Sequence, residues 1–209
     1  MKSDVLSVPF YKFYYPEEKR DGVLQTLKGL SYRHNDTNWI WDGVPLDGVG
    51  GSDLYNIPDL KDLFDWMQDC MAEIEEDMGI TTNMVCNSAW ANLNKTGEWF
   101  FDHTHSNCFM SSNYYASGDY NDVTHWVHPN PWFHYSNIWP CGAWTEEKYN
   151  LVHNEPTEAG KFIVFPPAIQ HRALPNTSKD DRITIAANWF PTGLINASGV
   201  SHLNVKVIQ

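Results

Sequence analysis

The stretch FFDHTHSNCFMSSNYYAS, Phe100–Ser117, decides how the chain folds and what it holds. His103 and His105 stand one residue apart. A run rich in Ser and Tyr, with the texture of a strand, follows at once. Two imidazoles so placed can occupy adjacent corners around a metal ion. In a chain with nine histidines the pair by itself is a weak motif, so further ligands must come from elsewhere.

His171 is the candidate third ligand. It lies in FIVFPPAIQHRALPN, where an apolar strand over residues 162–165 runs into Pro166-Pro167 and then reaches the histidine. Further on, Arg182 opens the run RITIAANWF. Alternate strand residues share a face, so Arg182, Thr184, Ala186 and Asn188 point one way. Ile183, Ile185, Ala187 and Trp189 point the other. A guanidinium and a hydroxyl can thus face one cavity, and Arg is suited to a bidentate grip on a carboxylate.

MVCNSAWANLN, KFIVFP and LNVKVI also read as strands, separated by the turn signals NKTG, SGDYND and PNTSKDD. Asn92 and Asn94 are polar strand residues with reach into such a cavity. The first third reads differently. PEEKRDGVLQTLKG has Pro16 and acids at its front, an apolar stripe and a terminal Gly29, as a helix requires. In IPDLKDLFDWMQDCMAEIEEDMG, Leu60, Leu63, Phe64, Met67, Met71, Ile74 and Met78 recur at helical steps. The acids Asp62, Asp65, Asp69, Glu73 and Glu76 form the solvated face. NDTNWIWDGVPLDGVGGSD, between the two helices, reads as loop. So does the aromatic, proline-broken segment 119–150, either packed over the core or serving as a lid. Its His125, His128 and His134, with His153 beyond it, read as loop histidines.

Helices first and many strands after predict an α+β fold. A double-stranded β-helix (a jelly roll of the cupin kind) is buttressed by N-terminal helices. No composition break divides the chain. One domain is expected over 1–209, with 1–83 mainly helical buttress and loops and 84–209 the jelly-roll core.

Composition narrows the function. The 209 residues carry a formal net charge of −12, which argues against general affinity for nucleic-acid backbones. No apolar run approaches a membrane span and no leading apolar segment reads as a signal, so a cytoplasmic setting is expected. The four cysteines form no Cys-x-x-Cys, which leaves a thiolate zinc site without support. Cys108, near the histidine pair, reads as a small buried thiol.

In order, these motifs resemble the 2-oxoglutarate/iron(II)-dependent oxygenases. They are most like a bacterial and phage group in which a Trp-x-Asn strand precedes a Gly, then His-x-His, then a Ser-rich Tyr-Tyr strand. Here those residues are Trp90-Ala91-Asn92, Gly97, His103-Thr104-His105, Ser111-Ser112 and Tyr114-Tyr115, followed by His171 and Arg182. The similarity spans about residues 84–192. It implies iron(II) held by His103, His105 and His171, a facial set that leaves positions open. It also implies 2-oxoglutarate bound through Arg182 with Thr184 and Tyr115. Dioxygen and an organic substrate would be the other partners, the substrate a prolyl side chain or a small molecule that becomes hydroxylated as succinate and CO2 are released. If the gene is a phage's, the host cytoplasm is the setting. The wider superfamily usually has Asp or Glu where this chain has His105, so zinc is also compatible with the ligand set. Asp102 is the neighbouring acid, expected outside the coordination sphere. Two other readings stand beside this one. The first is a cupin-type metal enzyme without an oxoacid. The second is a β-sandwich module binding a ligand on its aromatic loop.

Overall fold

The computed structural model describes residues 8–44, 52–127, 152–196 and 201–207. Helix α1 (Glu17–Lys28) starts behind Pro16, whose φ of −52° suits a helix entry. Glu17 and Glu18 sit in its first turn and Lys28 in its last, each complementing the helix dipole. Helix α2 (Lys61–Met78) buries Leu63, Phe64, Met67, Met71 and Ile74 along one stripe. Each such side chain contributes about 1.5–3 kcal/mol on burial. Gly79 ends the helix with φ +67°, a left-handed cap that glycine adopts without steric cost. The acids of the opposite face, Asp62, Asp65, Asp69, Glu73 and Glu76, are exposed as expected.

The strands form two main sheets. The larger has seven strands in the order β1 (Tyr11–Tyr14), β9 (Lys161–Phe165), β6 (Met110–Tyr115), β11 (Arg182–Pro191), β4 (Met84–Asn94), β3 (Asn38–Trp41), β2 (Tyr32–Asn35). The smaller orders β5 (Phe100–His103), β10 (His171–Ala173), β7 (Val123–Val127) and β8 (Val152–Pro156). A separate hairpin joins β12 (Gly193–Ile195) to β13 (Leu203–Val205). Every pairing within the two main sheets is antiparallel.

Period-2 alternation sorts the large sheet's faces. Ile183, Ile185, Ala187 and Trp189 join the core beneath the helices, with Leu63, Met67, Met71 and Ile74. Trp189 is fully buried, and its indole N–H donates to Ser112 Oγ at 2.8 Å. The opposite face carries Arg182, Thr184 and Ala186 toward the small sheet, where they line a cavity with His103, His171 and Thr124. Helices cover one face of the large sheet, and the cavity lies on the other. This layering is that of a double-stranded β-helix.

Three expectations need correction. The segment expected as loop between the helices contains β3, and Asn38 and Ile40 of that strand line the cavity. Its Trp39↔Leu93 and Ile40↔Asn92 pairing with β4 overrides the local Gly and Asp signals. The first 83 residues therefore add strands β1, β2 and β3 to the large sheet, beyond a helical buttress. Within the segment 119–150, residues 123–127 are strand β7, paired on both sides; residues 128–150, including His128 and His134, lie outside the described residues. Finally, LNVKVI contributes only β13, which belongs to the separate hairpin.

Candidate functional site

Strand register brings the histidines together. His171 of β10 pairs directly with His103 of β5, and Trp126 of β7 flanks His171 on its other side. The His103 and His171 ring centroids are 4.3 Å apart, and Trp126 stacks on His171 at 4.4 Å. His105 leaves β5 by two residues, but its backbone N–H donates to Pro167 O at 3.0 Å. The Pro-Pro turn thus holds the second histidine in reach of the third. One ligating atom from each imidazole lies within 4.8 Å of the others.

The orientation of the rings follows from their second nitrogens. His103 Nδ1 meets Phe101 O at 2.9 Å, His171 Nδ1 meets Ile169 O at 2.9 Å, and His105 Nδ1 meets Asn188 Oδ1 at 2.8 Å. Carbonyl oxygens only accept, so each Nδ1 carries the proton and each Nε2 keeps its lone pair. This is how metal-bound histidines are ordinarily oriented. His105 Nε2 is buried and has no partner among the described residues.

Asn188 is in turn fixed. Its Oδ1 also accepts from Ser111 Oγ at 2.9 Å, and its amide donates to Ser88 Oγ at 3.1 Å. It sits where the β11–β4 register shifts, between Asn188 and Trp189.

Burial keeps the three imidazoles neutral and ready to coordinate. It lowers the pKa of His105 to about 4, against the hydrogen bond to Asn188, which raises it. It lowers His103 as well, opposed by the Phe101 carbonyl. His171 is pushed well below the usual histidine value, first by burial and then by its neighbour His103. Neutral imidazole is the form a metal requires. The donor set, three nitrogens with preset lone pairs, fits a divalent transition ion.

The three histidines stand at one side of a cavity of about 250 Å³. Arg182, Thr184, Tyr115 and Thr124 line it too, as do Trp90, Asn92 and Asn94. Arg182 is only 1 % exposed; one guanidinium nitrogen donates to Leu174 O at 2.7 Å, and Nη1 has no partner among the described residues. Burial lowers its pKa, and the nearby Asp122 counters this. The Tyr115 hydroxyl lies 2.8 Å from Thr124 Oγ1, and burial raises its pKa. A buried cation with a free donor, flanked by hydroxyls, is suited to a carboxylate.

All six residues expected at the site therefore border one cavity. Asp102 is exposed and faces Arg172 Nη1 at 3.3 Å, away from the ligating atoms. His125 and His153 bond Asn154 and Glu155 respectively and do not line the cavity. Cys108 is half-buried, its thiol 3.4 Å from Ser111 Oγ. Sequence reasoning missed Thr124, Asn38, Asn113 and the His105–Asn188 contact. The alternation along β11 puts Asn188 on the cavity face, which was the one available signal for it.

Comparisons with known proteins bear on the family and the fold. Residues 88–188 match the family described as "Putative 2OG-Fe(II) oxygenase". Among solved structures, the chain resembles HygX from Streptomyces hygroscopicus with nickel, 2-oxoglutarate and hygromycin B bound. The identity is 11% and the TM-score 0.62, over 88% of this chain and 84% of that one. A Pseudomonas putida prolyl-4-hydroxylase aligns at 10% identity and TM-score 0.57, over 90% and 95% of the two chains. An oxidoreductase of the 2OG-Fe(II) oxygenase family from Burkholderia pseudomallei aligns at 11% and 0.61, over 87% and 84%. At such identities the likeness is one of fold. No curated protein sequence matches the chain.

Proposed function

We propose, for a chain whose residues 88–188 match the family described as "Putative 2OG-Fe(II) oxygenase", that it is an iron(II)- and 2-oxoglutarate-dependent dioxygenase acting on an organic substrate. His103, His105 and His171 would hold the metal; Arg182, with Thr184 and Tyr115, would hold the oxoacid. One observation carries the assignment. Three imidazoles with Nδ1 bound to carbonyl oxygens turn their other nitrogens toward a common point, in a cavity that also contains a buried guanidinium with a free donor.

When bound, the iron supplies oxidation by dioxygen coupled to conversion of 2-oxoglutarate to succinate and CO2, with hydroxylation of the substrate as the outcome. The chain's own residues do the positioning. Arg182 neutralises and orients one carboxylate of the oxoacid, and its attachment to Leu174 O limits the guanidinium's rotation. Thr184 offers a hydroxyl on the same strand face. Tyr115 and Thr124, bonded to each other, supply a second polar wall. Trp90, Ile40 and Phe100 line the cavity with apolar surface that excludes water. No protein nucleophile or general base is required.

The test uses anaerobic protein loaded with iron(II). A visible charge-transfer band should appear on adding 2-oxoglutarate, and succinate should form only when iron(II) and dioxygen are both present. Iron retained with no response to 2-oxoglutarate would instead favour a metal enzyme that uses no oxoacid.

A further inference from the structure

The cavity wall holds a second donor beside Arg182. Asn94, the last residue of β4, is the cross-strand partner of Arg182 on β11, and both line the cavity. Directly opposed residues of an antiparallel pair present side chains to the same face about 5 Å apart. Asn94 is 3 % exposed, and its Nδ2 has no partner among the described residues. Arg182 Nη1 is in the same condition. Asn38 Oδ1, an acceptor on the neighbouring strand and bordering the same cavity, is likewise unpartnered, so the two amides do not satisfy each other.

A buried amide donor left without an acceptor costs about 1–3 kcal/mol, so native proteins rarely keep one without a use. Two such donors on one cavity wall fit an anionic group with several acceptor lone pairs. A neutral ligand end would leave Asp122 as the counter-charge and Arg182 Nη1 still without an acceptor. The Asn94 main chain is also held in place: Asn176, 1 % exposed, donates from its Nδ2 to Asn94 O at 2.9 Å and to Asp180 O at 2.8 Å. The Gly97 N–H donates to Asn176 O at 2.7 Å, tying the following turn to the same residue.

We infer that Asn94 is the second donor to the co-substrate's carboxylate at the Arg182 end, and so helps select a dicarboxylic 2-oxoacid over a monocarboxylic one. The inference rests on the proposed oxygenase reading and deepens it. Arg182 supplies the charge; Asn94 supplies a directed N–H from the adjacent strand. Together they distinguish an oxoacid with a distal carboxylate from one that ends in a methyl group.

The experiment compares 2-oxoglutarate with pyruvate on the anaerobic, iron(II)-loaded full chain, by calorimetry and by the charge-transfer band. Pyruvate has the same 2-oxoacid end and no second carboxylate. Asn94→Ala should weaken 2-oxoglutarate binding by about tenfold or more, the worth of a hydrogen bond to a charged group. It should leave pyruvate and iron binding unchanged. Asn94→Asp, nearly isosteric, should weaken 2-oxoglutarate still further by placing an acid beside the distal carboxylate, and it decides the matter if the alanine variant does not fold. Wild-type affinity for 2-oxoglutarate in either variant, with Arg182→Ala defective, overturns the role of Asn94 alone. Equal losses for pyruvate and 2-oxoglutarate also overturn it. A wild-type protein that binds iron but neither oxoacid overturns the oxygenase reading, and this inference with it.

Discussion

Asn188 offers a sharp test, because it touches the proposed centre only through His105. Replacing it by Ala removes the acceptor for the His105 Nδ1 proton at 2.8 Å and for Ser111 Oγ at 2.9 Å. The imidazole is then free to rotate or to move its proton to Nε2, the nitrogen that should face the metal. Loss of such an orienting partner typically costs 10–100-fold in metal affinity, or about 1.4–2.8 kcal/mol. The donors left in a buried setting should also lower stability by about 1–3 kcal/mol each. Ser111 has Cys108 Sγ at 3.4 Å as an alternative partner, so the loss should fall at the low end of that range. Asn188→Asp separates orientation from folding. It keeps an oxygen facing His105, and the Ser88 hydroxyl can turn to donate to the new carboxylate. Iron(II) or manganese(II) affinity should therefore fall about 10–100-fold in Asn188→Ala and stay near wild type in Asn188→Asp. Anaerobic competition against a chelator measures the affinities, and nitrogen NMR of the apoprotein reports the His105 tautomer. Tight metal binding by Asn188→Ala, or equal losses in both variants, would refute the orienting role.

Other tests reach further around the molecule. His171→Ala removes a proposed ligand outright, so metal affinity should drop by more than the roughly 100-fold ceiling of an orienting partner; metal analysis after gel filtration would show it, and full retention would contradict the ligand assignment. Trp189→Ala empties a fully buried site and loses the bond to Ser112, which should cost about 3–5 kcal/mol in urea unfolding. The acid limb of stability should show Glu155. Burial raises its pKa, but bonds from His153, Lys12 and Lys161 outweigh that and bring it down to about 2. A depressed acid stabilises the fold above its unfolded pKa, so about 3 kcal/mol should be lost as pH falls from about 4.5 through 2. Glu155→Gln should flatten that limb of the unfolding curve, and an unchanged limb would remove Glu155 as its cause.

Much of this was legible in the amino-acid order because local physics dictates it. The apolar stripe of α2, its left-handed Gly79 cap and the alternation along RITIAANWF are consequences of helical and strand periods acting within one segment. The alternation already assigned Arg182 and Thr184 to one face and Trp189 to the other. Tertiary structure decided what depends on pairing between distant segments. Asn38–Trp41 becomes a strand because β4 accepts it as a neighbour, against its own turn-forming flanks. His103 meets His171 because β5 and β10 share a register, and Asn188 of β11 meets His105 although the two are far apart in the chain. Asn94 stands beside Arg182 by the register of β4 on β11. Periodicity is a property of one segment and can be read from it. Register is a relation between two, set by which pairing buries the most surface and leaves the fewest polar groups alone, and no single segment contains it.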